Sequence, residues 1–393
     1  MKIVVVPSGF KESLNAENAA TCIERGIKRV MPEAEVLSIP MVDGGEGFAE
    51  TLVRVTSGEL VQTTVTGPVG SPLEAVFGFL GGDGPRTAVI EMAAAAGLRH
   101  VPRDMRNPAL TTTYGVGEMI LAALDLGAEQ ILFGCGDSGT SDGGAGMAQA
   151  LGARMLDKDG CEIQKRGAVG LLGLERIDLS ALDPRLRGIR IDVACNWHNR
   201  LCGPKGVARV FGPQKGATPE QVRELEAALE RYAKVIEGDI GIDVRTAPGC
   251  GASGGLGAGL KALLGAHLHS RYDIISEYMN LDDMLQHCDL VFTAEGSIDF
   301  QTPHGKIPSE VAAKAKRRGI PVFAFAGTIG KDARVNYDCG IDAYTSILQA
   351  PATLEEAFQQ AEEWLTDSSE NAMRTILVGY RLGAGAVSGG HAS

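Results

Sequence analysis

Short apolar runs closed by glycine-rich turns alternate along this chain with stretches in which apolar residues recur every three or four positions. Ile3 to Val6 is a β-branched run ending at Pro7-Ser8-Gly9, which predicts a buried strand and then a turn. Asn15 predicts the cap of a helix whose apolar residues Ile23, Ile27, Val30 and Met31 share one face. A second strand over 36–42 leads into Asp43-Gly44-Gly45-Glu46-Gly47. This opening reads as a βαβ unit with parallel pairing.

The same pattern returns near the other end of the chain. Leu290 to Thr293, Val322 to Phe325 and Tyr344 to Leu348 are apolar runs separated by helical patterns. The middle differs: Val61 to Val65 and Ala75 to Leu80 alternate, and Gly81-Gly82-Asp83-Gly84 predicts a hairpin before Thr87 to Met92. The expected fold class is therefore α/β with two α/β domains. One is a doubly wound, Rossmann-like parallel sheet formed by both chain ends (1–60 and 286–393). The other is an inserted α/β domain with a mixed sheet (61–285). Two helix starts are explicit, in Thr218-Pro219-Glu220-Gln221 and in Thr353 with Glu356, which are capping boxes.

Composition narrows the function classes. Of 393 residues, 52 are glycine, about twice the usual share of roughly 7%. They cluster in short runs such as Gly143-Gly144 and Gly254-Gly255, a sign of special backbone geometry. A net charge of -12 argues against nucleic acid, yet leaves room for a local cationic site. The apolar stretch after Met1-Lys2 is too short for a signal peptide, and no apolar run of about 18 residues predicts a membrane span. Eight scattered cysteines then suggest reduced thiols in a cytoplasmic enzyme. Cys195, His198 and Cys202 resemble a partial metal site that lacks a fourth ligand, so buried thiols beside a pocket histidine are the preferred reading.

Candidate chemistry gathers in the turns. Gly134, Gly136 and Gly139, and again Gly249, Gly251 and Gly254, fit G-x-G-x-x-G. The first set follows a predicted strand and precedes Asp142-Gly143-Gly144, where backbone amides can hold a phosphate; tight strand–helix packing would use the same glycines. No Walker A motif occurs. The pairs Asp43 and Glu46, Asp137 and Asp142, and Glu295 and Asp299 lie at or beyond predicted strand ends, where open α/β sheets place their ligands. Lys11, Arg209, Lys215 and Lys306 are the cations near turns.

Read in order, these segments resemble the type I glycerate kinases over about residues 1–380. PSGFKESL (7–14) is similar to the family opening P-D-S-F/Y-K-x-S-L, and Asp43 to Gly47 to its D-G-G-E-G. TTTYGVGEMI (111–120), Ser138 to Met147, FGPQKGA (211–217), Gly249 to Gly257 and EGSIDFQTPHGK (295–306) continue the series. The resemblance implies a two-domain kinase with its active site between the domains, passing the γ-phosphoryl of ATP to a hydroxyl of glycerate, usually the 2-hydroxyl.

By that resemblance Asp142, Asp299, Lys215 and Lys306 are expected to be catalytic. Asp142 and Glu295 would hold Mg²⁺. Ser8, Lys11, Ser13, Asp43, Asn196, His198, Arg200 and Arg209 would bind the substrate. Gly143, Gly144, Gly251, Ser253, Gly254 and Gly255 would receive the nucleotide. The expected partners are a small hydroxy acid and ATP, with no nucleic acid and no membrane; a homodimer is left open. Ser8, Gly9, Asp137 and the segment Asn196 to Arg200 depart from the family pattern, which allows an altered acceptor. Two other readings stand beside this one. The glycine patterns motivate an NAD(P)-linked oxidoreductase, with Asp157 or Asp159 as its acidic residue. The departures motivate a non-catalytic ligand sensor.

Overall fold

A computed structural model describes residues 1–10, 13–41 and 45–388. The chain divides into two compact units, Met1–Val42 with Ser276–Ser393, and Asp43–Ile275. The sequence placed the crossings near 60 and 286. Both fall earlier, the first because the helix Phe48–Val55 packs on the strands Glu59–Thr66, Pro72–Phe79 and Thr87–Glu91 of the second unit.

The first unit is built on a five-stranded parallel sheet ordered Ala343–Ser346, Val322–Ile329, Leu290–Ile298, Lys2–Pro7, Glu35–Ser38. Both chain ends contribute, and Ile3 to Pro7 lie in register with Leu290 to Ala294. The second strand is shorter than expected, although Ile39 and Met41 still donate backbone hydrogen bonds to Val5 and Pro7. The helix Ala16–Val30 starts where Asn15 Oδ1 accepts from Asn18 N at 2.7 Å. It packs on the helix Leu354–Ser388, with Ile23, Ile27, Leu365 and Met373 joining Ile3, Val5, Phe292 and Phe325 in one core. Each such side chain contributes about 1.5–3 kcal/mol of burial. The helix Ile307–Lys316 touches three strands but has no residue in that core, so helices cover both faces of the sheet.

The second unit carries a six-stranded mixed sheet ordered His267–Ser270, Arg190–Cys195, Gln130–Gly134, Thr87–Glu91, Pro72–Phe79, Glu59–Thr66. The first four strands run parallel; the hairpin predicted at 81–84 pairs Pro72–Phe79 antiparallel with Thr87–Glu91, and Glu59–Thr66 pairs antiparallel with Pro72–Phe79 in turn. Thr218 and Gln221 form the expected capping box at the start of the helix Pro219–Ile240. Among the described residues no helix is long and apolar enough to cross a membrane. All eight cysteines are free, and among the described residues no group of three or more His, Cys, Asp and Glu is gathered as metal ligands would be, Cys195, His198 and Cys202 included.

Candidate active site

In the second unit, loops beyond the carboxyl ends of Gln130–Gly134 and Arg190–Cys195 enclose a cavity of about 690 Å³. Arg99, Arg106, Lys215 and Arg271 line it, against the carboxylates of Glu46 and Asp137. In a chain of net charge -12 this is a local cationic excess. Arg106 Nε is buried without a hydrogen-bond partner among the described residues. A buried donor left unpaired in a polar cavity is a place for a ligand acceptor. Arg106 rests on Gly216 of FGPQKGA, whose φ of +94° and lack of a β-carbon admit the arginine backbone at close range.

Lys215 is the most constrained cation. Only 3% exposed, its Nζ donates to Ser138 Oγ at 2.7 Å and to Thr140 O at 2.6 Å. Burial lowers its pKa to about 7, opposed by the charge of Asp142. Asp142 itself is buried and accepts from Thr113 N at 2.8 Å, Thr113 Oγ1 at 2.9 Å, Gly144 N at 3.1 Å and Gly146 N at 3.2 Å. Burial nevertheless raises its pKa. Its lone pairs are taken by protein donors, so its geometry is that of a group holding the turn before the helix Ala145–Ala150 rather than of a metal ligand.

The glycine loops differ from expectation in the same way. Gly143 N donates to Gly254 O at 3.1 Å, joining the two loops. A β-carbon on Gly143 would meet the Tyr232 ring at 2.6 Å, and one on Gly255 would meet Leu201 at the same distance. One on Gly251 would overlap the Arg200 backbone, and Gly144 packs on Gly259. These glycines serve close packing. Of the six residues expected to receive a nucleotide, Ser253 and Gly254 line the cavity. The dinucleotide reading fails on geometry: Asp157 closes a turn by accepting from Asp159 N and Cys161 N, and Arg154–Leu156 pairs antiparallel with Arg176–Asp178. A ribose-binding acid would need to follow a parallel strand.

In the first unit the central strand Leu290–Ile298 presents a second cluster at its carboxyl end. Lys306 Nζ lies 3.7 Å from Glu295 Oε2 and 3.7 Å from Asp299 Oδ1, and donates to Ser297 O at 3.1 Å. Asp299 Oδ1 also accepts from Gln301 N at 2.8 Å, while Asn336 Nδ2 donates to Asp299 O at 3.0 Å. Two partly buried carboxylates share one ammonium. This suits a cation site completed by ligand oxygens, the usual manner of magnesium.

The remaining expected residues scatter. Ser8 is buried and its Oγ donates to Ala294 O at 3.0 Å; Ser13 Oγ donates to Phe358 O at 3.4 Å. Asn196 lines the cavity, but His198 is exposed and Arg200 is outside the lining. Arg209 pairs with Glu226 on the helix Pro219–Ile240 and lines a different hollow. Lys11 and Asp43 lie outside the described residues. Arg99, Arg106 and Arg271 were missed, since no recognisable motif surrounds them, and Asn199 was passed over within the singled-out segment Asn196 to Arg200.

A two-unit α/β protein with a cation-lined cavity at strand ends and a separate Lys–carboxylate cluster has the kind of groups that phosphoryl transfer uses. The Glycerate kinase family profile matches residues 3–377, and the chain belongs to that family. It is thus a kinase, a phosphotransferase acting on an alcohol group. It is 48% identical over 96% of its length to the glycerate kinase of Bacillus subtilis (strain 168), covering 98% of that protein. It is 46% identical to the glycerate 2-kinase of Escherichia coli (strain K12), over 97% of this chain and 99% of that one. A crystal structure provisionally named glycerate kinase 2, from Salmonella typhimurium LT2, superposes with a TM-score of 0.85 at 45% identity, covering 97% of this chain and 99% of that chain.

Proposed function

We propose that this kinase transfers the γ-phosphoryl group of ATP, with Mg²⁺, to a hydroxyl of glycerate, the 2-hydroxyl in the first instance, in the cytoplasm. The observation that carries the reading is the second unit's cavity, where the buried Lys215 and the unpaired Arg106 Nε await an anion. The names of the similar proteins support the choice of acid.

In this reading Arg106 holds the acid's carboxylate, with Asn196 beside it, and Lys215 meets the phosphoryl group as it moves. Glu295 and Asp299 would hold the metal, which would supply positive charge to neutralise the nucleotide phosphates. Lys306 keeps those two carboxylates apart from one another's charge and offers an ammonium to a phosphate oxygen. Asp142 acts at one remove, by shaping the turn beside Lys215.

Purified protein should release ADP only when a short hydroxy acid and Mg²⁺ are both present, since transfer needs a positioned acceptor. A coupled ADP assay checks this. Release without acceptor, or release indifferent to EDTA, would overturn the reading, and binding without turnover would favour the sensor.

Arg106→Ala should raise KM for the acid by about 10-fold or more with a smaller change in kcat, because one charge-assisted hydrogen bond is lost from the bound ground state. An unchanged KM in steady-state kinetics removes Arg106 from the carboxylate.

A further inference from the structure

We propose that Asp137 is a positioning residue for this reaction: a latch that holds Gly45 and Glu46 against the cavity. The inference rests on the kinase reading above for what the latch serves, but its geometry stands alone. Asp137 has a φ of +46°, a left-handed conformation uncommon outside glycine, which Asp and Asn adopt more readily than other residues with a β-carbon. Such a backbone persists only where its surroundings over-determine it, and it tends to mark functional positions.

The surroundings are specific. Asp137 Oδ2 accepts from Glu46 N at 3.0 Å, and Asp137 O accepts from Leu98 N at 2.9 Å. Glu46 in turn faces Arg99, 3.4 Å from its carboxylate. Gly45, Glu46, Leu98, Arg99 and Asp137 all line the same cavity. A β-carbon on Gly45 would overlap Asp137 Oδ2, so the carboxylate keeps this place only while residue 45 is glycine. The start of the next helix is secured separately, by Ala49 N donating to the buried Glu91 at 3.1 Å. Asp137 therefore fixes the backbone of residues 45–46, and through it the Glu46–Arg99 pair, rather than merely anchoring the helix.

Three variants at this position separate strain from latch. Asp137→Gly relieves the backbone but deletes the carboxylate; Asp137→Ala deletes it and keeps the strain; Asp137→Asn keeps an acceptor and tolerates the left-handed region. Asp137→Gly should melt above Asp137→Ala, yet both should lose at least ~10-fold in kcat/KM, because a shifted positioning group costs rate. Asp137→Asn should stay within about 3-fold of wild type, as a retained hydrogen bond predicts. Wild-type kcat/KM in Asp137→Gly, or a kcat/KM that simply ranks with melting temperature, overturns the proposal.

A second measurement needs no substrate. Gly45→Ala should lower the melting temperature by about 4 °C in the wild-type background and by less than about 1 °C beside Asp137→Gly. Equal losses in both backgrounds overturn the latch. A wild-type protein that releases no ADP would instead refute the kinase reading and leave this melting result to judge the latch.

Discussion

Lys215→Met is expected to lower kcat by about 10³-fold while leaving the melting temperature unchanged or higher. Removing a preorganised donor from a transition-state charge costs about 10²–10³ in rate, and Lys215 supplies a full charge in a dry setting. Stability moves the other way because the buried ammonium is held against its desolvation penalty, which the thioether of methionine does not incur. The pH dependence has a definite sign. Lysine titrates at 10.5 in the unfolded chain and at about 7 in the folded one, so between those values the unfolded chain holds the extra proton. Stability from this group therefore rises with pH from about 7 to about 10.5. Activity falls over the first part of that range, since the ammonium is the useful form. A bound anion favours the ammonium, so the limb should sit at higher pH in kcat than in kcat/KM. Profiles of both constants, with urea titrations of wild type and Lys215→Met, check each sign. A flat kcat/KM profile between about pH 6 and pH 9 would remove Lys215 from the step.

Asp299→Asn is the second large effect, a fall in kcat of at least ~100-fold with the fold retained. The amide keeps an oxygen to accept from Gln301 N, and the backbone contact from Asn336 to Asp299 O is untouched. What is lost is one of the two charges facing Lys306. If Asp299 serves the metal, the magnesium concentration needed for half-maximal rate should rise as kcat falls. A loss of kcat with unchanged magnesium dependence would assign it to the acceptor hydroxyl instead. Near-wild-type kcat would leave Asp299 as a residue that closes its loop.

The asymmetry between the two clusters explains what could be read in advance. Glu295, Asp299 and Lys306 fall within one continuous segment that runs from the end of a strand to the start of a helix, so strand and turn alone bring them together. The cavity gathers Glu46, Arg106, Asp137, Asn199, Lys215 and Arg271, each from a different segment of the chain. No local spacing records that meeting.

Strands, caps and the parallel or antiparallel sense of pairing were decided by the sequence itself, because hydrophobic period and turn chemistry act over a few residues. Asn15, Thr218 and the apolar strands near both chain ends behave as their neighbours dictate. The family, too, was legible, since its motifs are continuous. Only the tertiary structure decided what each glycine makes room for: Gly143 and Gly254 look alike along the chain, yet a β-carbon on the first would meet the Tyr232 ring and one on the second the Thr140 carbonyl, at the edge of the cavity. Only it separated Lys215, buried and stripped of water, from Arg209, solvated and paired with Glu226. Burial and charge pairing depend on groups far apart in the chain, and those terms set how acidic, reactive or inert a side chain is.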